Sequence, residues 1–473
     1  MRLNVSQEDI TESSIPRTVI ILGIPIFVQY LVRVLQGAVD LFWLGRLGAN
    51  AVAAVGLVAP LMGFLVAAVT YIPYSGTQII VAQRVGSDDR FGARRIVFTG
   101  LSLGLLLGIV GGVLAYLGSG PIIRAITGLQ SGTTSPMVIS TAIRYLQIIS
   151  LGAPAIVISN VIEGVYINWG DSGASLYMNL VGVVVNFALD PILIFGIGVV
   201  PQLGVVGAAL ATVVGYLAGV GLGIAFILTK RSGGILSKKS VEAKLEEFKE
   251  IVRIGVPSAT QSIALKLANI ALLAIMVATG GAVGSIAYVV GVRISEFALI
   301  PARGLQKASQ TVMGQNLGAV QPSRVSRALR FGTLIASSVM MLIGAIQWAV
   351  AEQLVYVFLP ALQPDAVAVS MDYLRIIALS YPALGIVFLL QSRFNAAGRT
   401  RTALASSLFQ YWIVRLPIAA VGGLVLNYGV RVVFWAVAIS DFATLLVLGL
   451  YYLYSVRDGE LIKETHRIAG QTD

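Results

Sequence analysis

The chain has 473 residues, of which 57% are hydrophobic and only 12% are charged, and its formal net charge is +11. A soluble domain of this length would not tolerate so apolar a composition, so the sequence indicates a protein that crosses a membrane several times. It contains no cysteine, which excludes disulfides, thiolate metal sites and cysteine nucleophiles.

Apolar stretches long enough to cross a hydrocarbon core of about 30 Å recur along the whole chain. The first half holds six of them, at 16–44, 51–80, 95–118, 137–167, 174–198 and 204–229. The second half holds six more, at 251–279, 283–312, 328–350, 366–396, 402–426 and 431–455. The sequence therefore predicts an all-α integral membrane protein with about 12 transmembrane helices.

The two halves are related by an internal repeat. Gln29 and Gln83 recur as Gln261 and Gln315, each 232 residues later, and the offset falls to 228 and then 225 further along. Such a duplication is typical of transporters built from two pseudo-symmetric bundles. The predicted domains are an N-terminal six-helix lobe at 1–229, a cytoplasmic inter-lobe linker at 230–250 with a short surface helix at 241–251, a C-terminal six-helix lobe at 251–456 and a cytoplasmic tail at 457–473.

Positive charge is concentrated in alternate loops. These are the loops near 84–95, the linker with its seven basic residues between 230 and 253, and the segments near 324–330, 399–401 and 457–467. The positive-inside rule places them, and with them both termini, in the cytoplasm of a multi-pass protein of the cell membrane. The charge excess therefore does not indicate a nucleic-acid partner.

Polar residues form a stripe on the first membrane helix. Gln29, Arg33, Gln36 and Asp40 are spaced i, i+4, i+7 and i+11, so they lie on one helix face. Ionisable groups inside a membrane are costly and usually line a cavity, so this face is expected to look away from lipid. One alternative is that Arg33 and Asp40 form a static ion pair.

The fourth and fifth spans of the first half also carry polar residues. Asn160 and Glu163 lie one turn apart, and Asn179, Asn186 and Asp190 share a face at i, i+7 and i+11. Buried carboxylates with amides nearby suit reversible binding of a proton or Na⁺. The alternative for Asp190 is that it caps or kinks its helix ahead of a proline.

Signals for an enzyme are poor. The nucleophile-elbow pattern at 100–104 lies within an apolar helix, and His466 is the single histidine, in the polar tail. No phosphate-binding loop of the Gly-Lys-Ser type is present. We expect neither enzymatic activity nor a cofactor, and an ion gradient as the energy source.

Four motifs together resemble one transporter family. They are Val39-Asp40 followed by LGRLGA at 44–49, the run from Asn186 to Gly196 with Asp190-Pro191 inside it, GQNLGA at 314–319, and Arg415-Leu416-Pro417. In these motifs the chain resembles the multidrug and toxic compound extrusion (MATE) family over nearly its whole length. The resemblance implies two six-helix lobes around a central cleft, and export of organic cations and amphiphiles in exchange for H⁺ or Na⁺.

The resemblance also implies roles for individual residues, of the archaeal and bacterial type with acids in the N-terminal lobe. Asp40 and Asp190 look like the coupling carboxylates, supported by Tyr145, Asn160, Asn186 and Thr212. A Na⁺ ion would be held by Asp40, Asn186, Asp190 and Thr212. From the residues themselves, Gln36, Glu163, Tyr71 and Phe187 are candidates to contact substrate, because adaptable and aromatic surfaces suit promiscuous binding.

The expected partners are organic cations or amphiphilic small molecules and the membrane lipid, with the protein acting as a monomer. The alternative function is that of a lipid or lipid-linked saccharide flippase of the same superfamily, for which a more basic cavity and extra helices would be expected.

Overall fold

A computed structural model describes residues 5–129, 134–242, 244–358 and 364–468. In these ranges the chain forms helices joined by turns, with no β-strand.

Seventeen α-helices account for most of the described chain. The first eight are α1 (Gln7–Glu12), α2 (Ile15–Leu47), α3 (Ala49–Gly86), α4 (Arg90–Leu129), α5 (Pro136–Leu151), α6 (Ala153–Trp169), α7 (Ser172–Phe195) and α8 (Val205–Leu228). The others are α9 (Leu245–Ala298), α10 (Ile300–Gly318), α11 (Pro322–Ala349), α12 (Ala351–Phe358), α13 (Pro364–Ala396), α14 (Thr400–Leu408), α15 (Leu416–Ala420), α16 (Val430–Arg457) and α17 (Glu460–Ile468). Two π-helical turns, Phe409–Arg415 and Val421–Val425, flank α15.

The number of membrane spans agrees with the prediction. Within the described ranges, 10 helices are long and apolar enough to span, and the pair α5 and α6, bent by 49°, makes 11. The 54-residue helix α9 is interrupted at Gly281, whose φ of 56° and ψ of −143° are not helical, and the arm after Gly281 continues into α10. Counting the two arms separately gives twelve spans, so the all-α, multi-pass membrane fold is confirmed.

Contacts within the chain define two compact units. Among the described residues, the first unit comprises Val5, Val28–Val85 and Asp89–Thr260, and the second comprises Ser6–Phe27, Gly86–Asp88 and the chain from Gln261 onward. Helices α2 and α9 each contribute residues to both units. The segments 6–27 and 251–260 therefore group with the opposite half from the one given by the predicted lobe boundaries.

The helix predicted at 241–251 is present from Leu245, but the prediction that it is short and lies on the surface is wrong. Leu245 instead begins α9, which runs on through the first span of the second half. Glu247 in its first turn is buried, accepting a hydrogen bond from Arg95 Nη2 at 2.6 Å and from Thr99 Oγ1 at 3.1 Å. A carboxylate in the first turn of a helix also interacts favourably with the positive end of the helix dipole. The hydrogen bonds from Arg95 and Thr99 hold the start of α9 against α4.

Helices α7 and α8 pack with their backbones in close approach. A Cβ atom built on Gly215 would lie 2.6 Å from the carbonyl oxygen of Gly182, and one built on Gly182 would lie 2.9 Å from the carbonyl oxygen of Gly215. Only glycine permits this distance at both positions, since real Cβ atoms do not approach so closely. The contact holds the polar faces of the two helices beside each other.

Candidate functional site

The polar stripe of α2 pairs residue by residue with α6 and α7 in the first unit. Gln29 Nε2 donates to Glu163 Oε2 at 2.6 Å and to Ser175 Oγ at 3.0 Å. Further along α2, Gln36 Nε2 donates to Asn186 Oδ1 at 2.9 Å. The structure thus brings the predicted stripe together with polar residues that lie more than a hundred positions away in sequence.

The last residue of the stripe, Asp40, lies beside Asp190 of α7. The two carboxyl groups interact electrostatically with each other, and Asn186 Nδ2 donates to Asp190 Oδ1 at 3.4 Å. Asp190 is 1% exposed, and Asp190 Oδ2 and Asp40 Oδ1 are buried oxygens without a hydrogen-bond donor among the described residues. Two adjacent carboxylates repel each other, so a carboxyl pair of this kind favours uptake of a proton or a cation.

Tyr145 of α5 completes the surroundings of the two acids. Its side chain is 8% exposed and its phenol interacts electrostatically with both Asp40 and Asp190. The structure therefore brings together three of the predicted coupling and support residues, Asp40, Asp190 and Tyr145, with Asn186 as the fourth.

Glu163 has a different environment from the two aspartates. Its Oε2 accepts from Arg33 Nη2 at 2.6 Å in an ion pair, and Ser159 Oγ donates to Oε1 at 3.1 Å. With Gln29 as a further donor, the buried carboxylate has donors at both oxygens. The alternative that Arg33 forms an ion pair with Asp40 is therefore wrong, because Arg33 pairs with Glu163.

A small cavity lies beside the Arg33–Glu163 pair. Its volume is about 30 Å³, which matches the room needed by one or two water molecules. Arg33, Glu163, Asn179 and Tyr216 are among its lining residues, and Asn179 Oδ1 is buried without a donor among the described residues. The remaining lining residues are Gln36, Ser159, Met178, Gly182, Val183, Thr212, Gly215 and Gly219.

Other predicted residues lie apart from the aspartate pair or bond elsewhere. Asn160 Nδ2 donates to Ile156 O of its own helix at 2.7 Å, and Thr212 Oγ1 donates to Ala208 O at 3.0 Å while its residue lines the cavity. Tyr71 is 37% exposed and packs edge-on against Tyr74, and Phe187 is half-buried on α7.

Sequence reasoning missed Tyr216 as part of the site. It interacts electrostatically with Arg33, Glu163 and Asp40 and lines the cavity on α8. The available signal was its spacing, because Tyr216 follows Thr212 by four positions and so shares its helix face.

Arginine partners distinguish the buried carboxylates of the protein. Six carboxylates are buried among the described residues, and five of them have an arginine. The pairs are Glu163 with Arg33 at 2.6 Å, Asp171 with Arg231 at 2.7 Å, Glu247 with Arg95 at 2.6 Å, Asp441 with Arg415 at 2.7 Å, and Glu464 with Arg393. The sixth, Asp190, has another acid, Asp40, in place of a base.

Comparison with known proteins gives the class of this fold. The family model MatE matches residues 25–192 and 257–421. The probable multidrug resistance protein NorM of Thermotoga maritima is 26% identical, with 89% of each chain covered, and the probable multidrug resistance protein YoeA of Bacillus subtilis is 27% identical, with 87% of this chain and 88% of the relative covered.

The solved structures show the same fold. A multidrug resistance MATE family transporter of the MOP superfamily, in its outward-facing conformation, superposes with a TM-score of 0.86 at 22% identity, covering 99% of each chain. The chain belongs to the MatE family of multi-pass membrane transporters. The resemblance seen in the four sequence motifs is thereby confirmed.

Proposed function

We propose that the protein is a secondary active multidrug efflux antiporter that exports organic cations and amphiphiles in exchange for H⁺ or Na⁺. The observation that carries the proposal is that the buried Asp190 is paired with the half-buried Asp40 and lacks the arginine that the other five buried carboxylates have. The names of the relatives in Thermotoga maritima and Bacillus subtilis support multidrug resistance as the role.

The chemistry of the pair suits an exchangeable cation. Two desolvated carboxylates in contact repel each other unless a proton or cation neutralises part of their charge. A permanently bonded arginine would supply that charge without exchange, whereas H⁺, Na⁺ or an organic cation can arrive and leave. Binding of one cation then disfavours binding of another, which is the requirement for antiport.

The neighbouring polar groups support either coupling ion. With Gln36 holding the Asn186 amide, the Asn186 side chain is oriented toward Asp190. Na⁺ prefers oxygen ligands, as hard cations do, and Asp40, Asn186, Asp190 and the hydroxyl of Thr212 would supply them. A proton needs only the two carboxyl groups, with Tyr145 nearby.

The transport cycle follows alternating access. The inward-open protein binds an organic cation, opens outward, and releases it when the ion binds at Asp40 and Asp190; the ion then leaves on the cytoplasmic side. Coupling requires that ion and drug favour different states, because a ligand with equal affinity for both shifts neither. In this proposal the protein acts as a monomer in the cell membrane with both termini cytoplasmic.

Efflux of a fluorescent organic cation from proteoliposomes tests the proposal. An imposed pH gradient and a Na⁺ gradient alone are compared for the wild type, Asp40→Asn, Asp190→Asn and the control Asp372→Asn. Asp372 pairs with Arg431 at 2.6 Å in an exposed ion pair, so its variant controls for loss of one acid. We expect gradient-driven efflux in the wild type and control, and none in the two site variants. Full gradient-driven efflux by Asp190→Asn would refute the coupling role.

A further inference from the structure

A second group of buried charges lies in the second unit, centred on Asp441 of α16. Asp441 is 2% exposed and accepts three hydrogen bonds of 2.7 Å, from Ser380 Oγ, Gln410 Nε2 and Arg415 Nη2. The proposed transport mechanism does not use it. Its partners come from α13 and from the π-helical turn before α15.

Arg415 is fixed as firmly as its partner. It is 7% exposed, its Nε donates to Ser440 Oγ at 2.9 Å, and its guanidinium lies 4.2 Å over the ring of Tyr411. It ends the π-helical turn Phe409–Arg415, a distortion of a kind that is frequent at functional sites. The other titratable groups that interact with this ion pair are the phenols of Tyr288, Tyr373 and Tyr381.

The internal repeat relates Arg415 to the ion site of the first unit. Pro191 matches Pro417 at an offset of 226, so Asp190 corresponds to Leu416, and Arg415 is the residue directly before it. The fifth span of each half therefore carries a charged residue at or next to the same position of the repeat, an acid in the first half and a base in the second. The first half has an acid with no base, and the second has a base bonded to an acid.

We propose that Arg415 is a built-in cation that occupies the cation position at Asp441, and that it thereby confines binding of the coupling ion to Asp40 and Asp190. Arg415 is then a specificity-determining residue that sets the number of monovalent cations bound per molecule. This proposal rests on the proposed function for its meaning in transport, but the property of Asp441 can be measured without transport.

Removal of the guanidinium would expose the latent site. A buried carboxylate without a cation carries a large desolvation cost, which it relieves by taking up a proton or another cation. In Arg415→Gln, Asp441 keeps the donors Ser380 and Gln410 and loses the positive charge of Arg415. The glutamine side chain is shorter than that of arginine and carries no charge. The variant should bind one monovalent cation more than the wild type.

Infrared spectroscopy of the protein in lipid nanodiscs, together with binding of radioactive Na⁺, tests this proposal. The full-length wild type, Arg415→Gln, Arg415→Lys and the double variant Arg415→Gln/Asp441→Asn are compared near neutral pH. We expect Arg415→Gln to gain either one protonated carboxyl group or one bound Na⁺ per molecule, and Arg415→Lys and the double variant to gain neither. A band that disappears on addition of Na⁺ identifies a site that takes both ions.

The outcomes separate the two proposals. Equal signals from Arg415→Gln and the double variant would overturn the role of Arg415, whatever the transport assays show. If Arg415→Gln does not fold, the same comparison is made with Arg415→Met, which removes the donors as well as the charge. This variant is purified at high Na⁺ concentration or at low pH, so that the charge of Asp441 is neutralised. The ion signal of the wild type should be absent from the double variant Asp40→Asn/Asp190→Asn. If that signal persisted, the proposed function would be contradicted, and the test of Arg415 would be unaffected.

Discussion

Arg33 donates to Glu163 at 2.6 Å, although Asp40 is the acid on its own helix face. This pairing removes the one base that the sequence offered to Asp40 as a static partner. The stripe of α2 therefore divides into a neutralised part around Glu163 and an acidic part at Asp40 and Asp190. A drug or ion that enters the acidic part meets no resident arginine there among the described residues.

Loss of the Glu163 carboxylate should destabilise the protein. Glu163→Gln leaves Arg33 without its counter-ion, and we expect a loss of about 2–4 kcal/mol, near the lower end for buried pairs because Arg33 is about one third exposed. Thermal unfolding in detergent measures it. Glu296→Gln is the matched control, since the Arg293–Glu296 pair is exposed and should contribute about 0–1 kcal/mol. Equal effects of the two variants would contradict the assignment of Glu163 to a buried pair.

The close approach of α7 and α8 predicts a steric effect. Gly215→Ala would place Cβ 2.6 Å from the Gly182 carbonyl oxygen, so the helices must separate, and we expect destabilisation by about 1–3 kcal/mol. Gly221→Ala on the same helix has open space and should be neutral or stabilising by up to about 1 kcal/mol through helix propensity. Thermal unfolding of both variants makes the comparison, and a neutral Gly215→Ala would argue against the packing described.

The two asparagines predicted to support the ion differ in their hydrogen bonds. Asn186 bonds to Asp190 and to Gln36, whereas Asn160 bonds to a carbonyl of its own helix. We expect Asn186→Leu to weaken the apparent affinity for the coupling ion about tenfold, the equivalent of about 1.4 kcal/mol. Asn160→Leu should weaken it by less than about threefold. The ion dependence of efflux from proteoliposomes gives both values. A larger loss of apparent ion affinity in Asn160→Leu than in Asn186→Leu would contradict the assignment of Asn186 to the ion site.

A clamp with reversed polarity recurs at the start of the fifth span in each half. Asp171, the N-cap of α7, accepts from Arg231 at 2.7 Å and from Ser232 at 2.6 Å, and the hydrogen bond to Asp171 raises the pKa of Arg231. At the equivalent position 228 residues later, Arg399 donates to Glu464 of α17 at 3.0 Å. The duplication has kept the contact and exchanged the signs.

The first clamp can be tested by removing its charge. Asp171→Asn should destabilise the protein by about 1–3 kcal/mol, because hydrogen bonds to a charged group are lost at a buried position. Asp458→Asn provides the control, as its ion pair with Lys463 is exposed and should contribute within about 0.5 kcal/mol. Thermal unfolding compares the two variants. If Asp171→Asn were no less stable than the control, the contacts of Asp171 with Arg231 and Ser232 would not contribute to the stability of the protein.

Much of the fold could be predicted because membrane spans are long and apolar. All twelve predicted spans overlap helices of the structure. The start of α9 at Leu245 could not be predicted well, since polar residues such as Glu247 obtain their helical context from arginines of α3 and α4 far away in sequence. Periodicity along one segment does not report such partners.

The site shows the same limit. The i, i+4, i+7 and i+11 spacing located Gln29, Arg33, Gln36 and Asp40 on one face, and the structure indeed places them along α6 and α7. Spacing could not decide whether Arg33 would bond to Asp40 or to Glu163, because that depends on how α2 and α6 approach each other. The pairing of Arg415 with Asp441 could not be predicted for the same reason, since the two residues lie 26 positions apart on different elements.

The most direct test of ion and drug exchange is the release of the ion on drug binding. An organic cation is added to purified protein in lightly buffered detergent, and released protons are followed with a pH indicator, with a Na⁺-selective electrode in a parallel sample. The account predicts release of H⁺ or Na⁺ in proportion to drug bound by the wild type and Asp372→Asn, and none by Asp40→Asn/Asp190→Asn. Drug binding by the wild type without release of either ion, or undiminished release by the double variant, would contradict it.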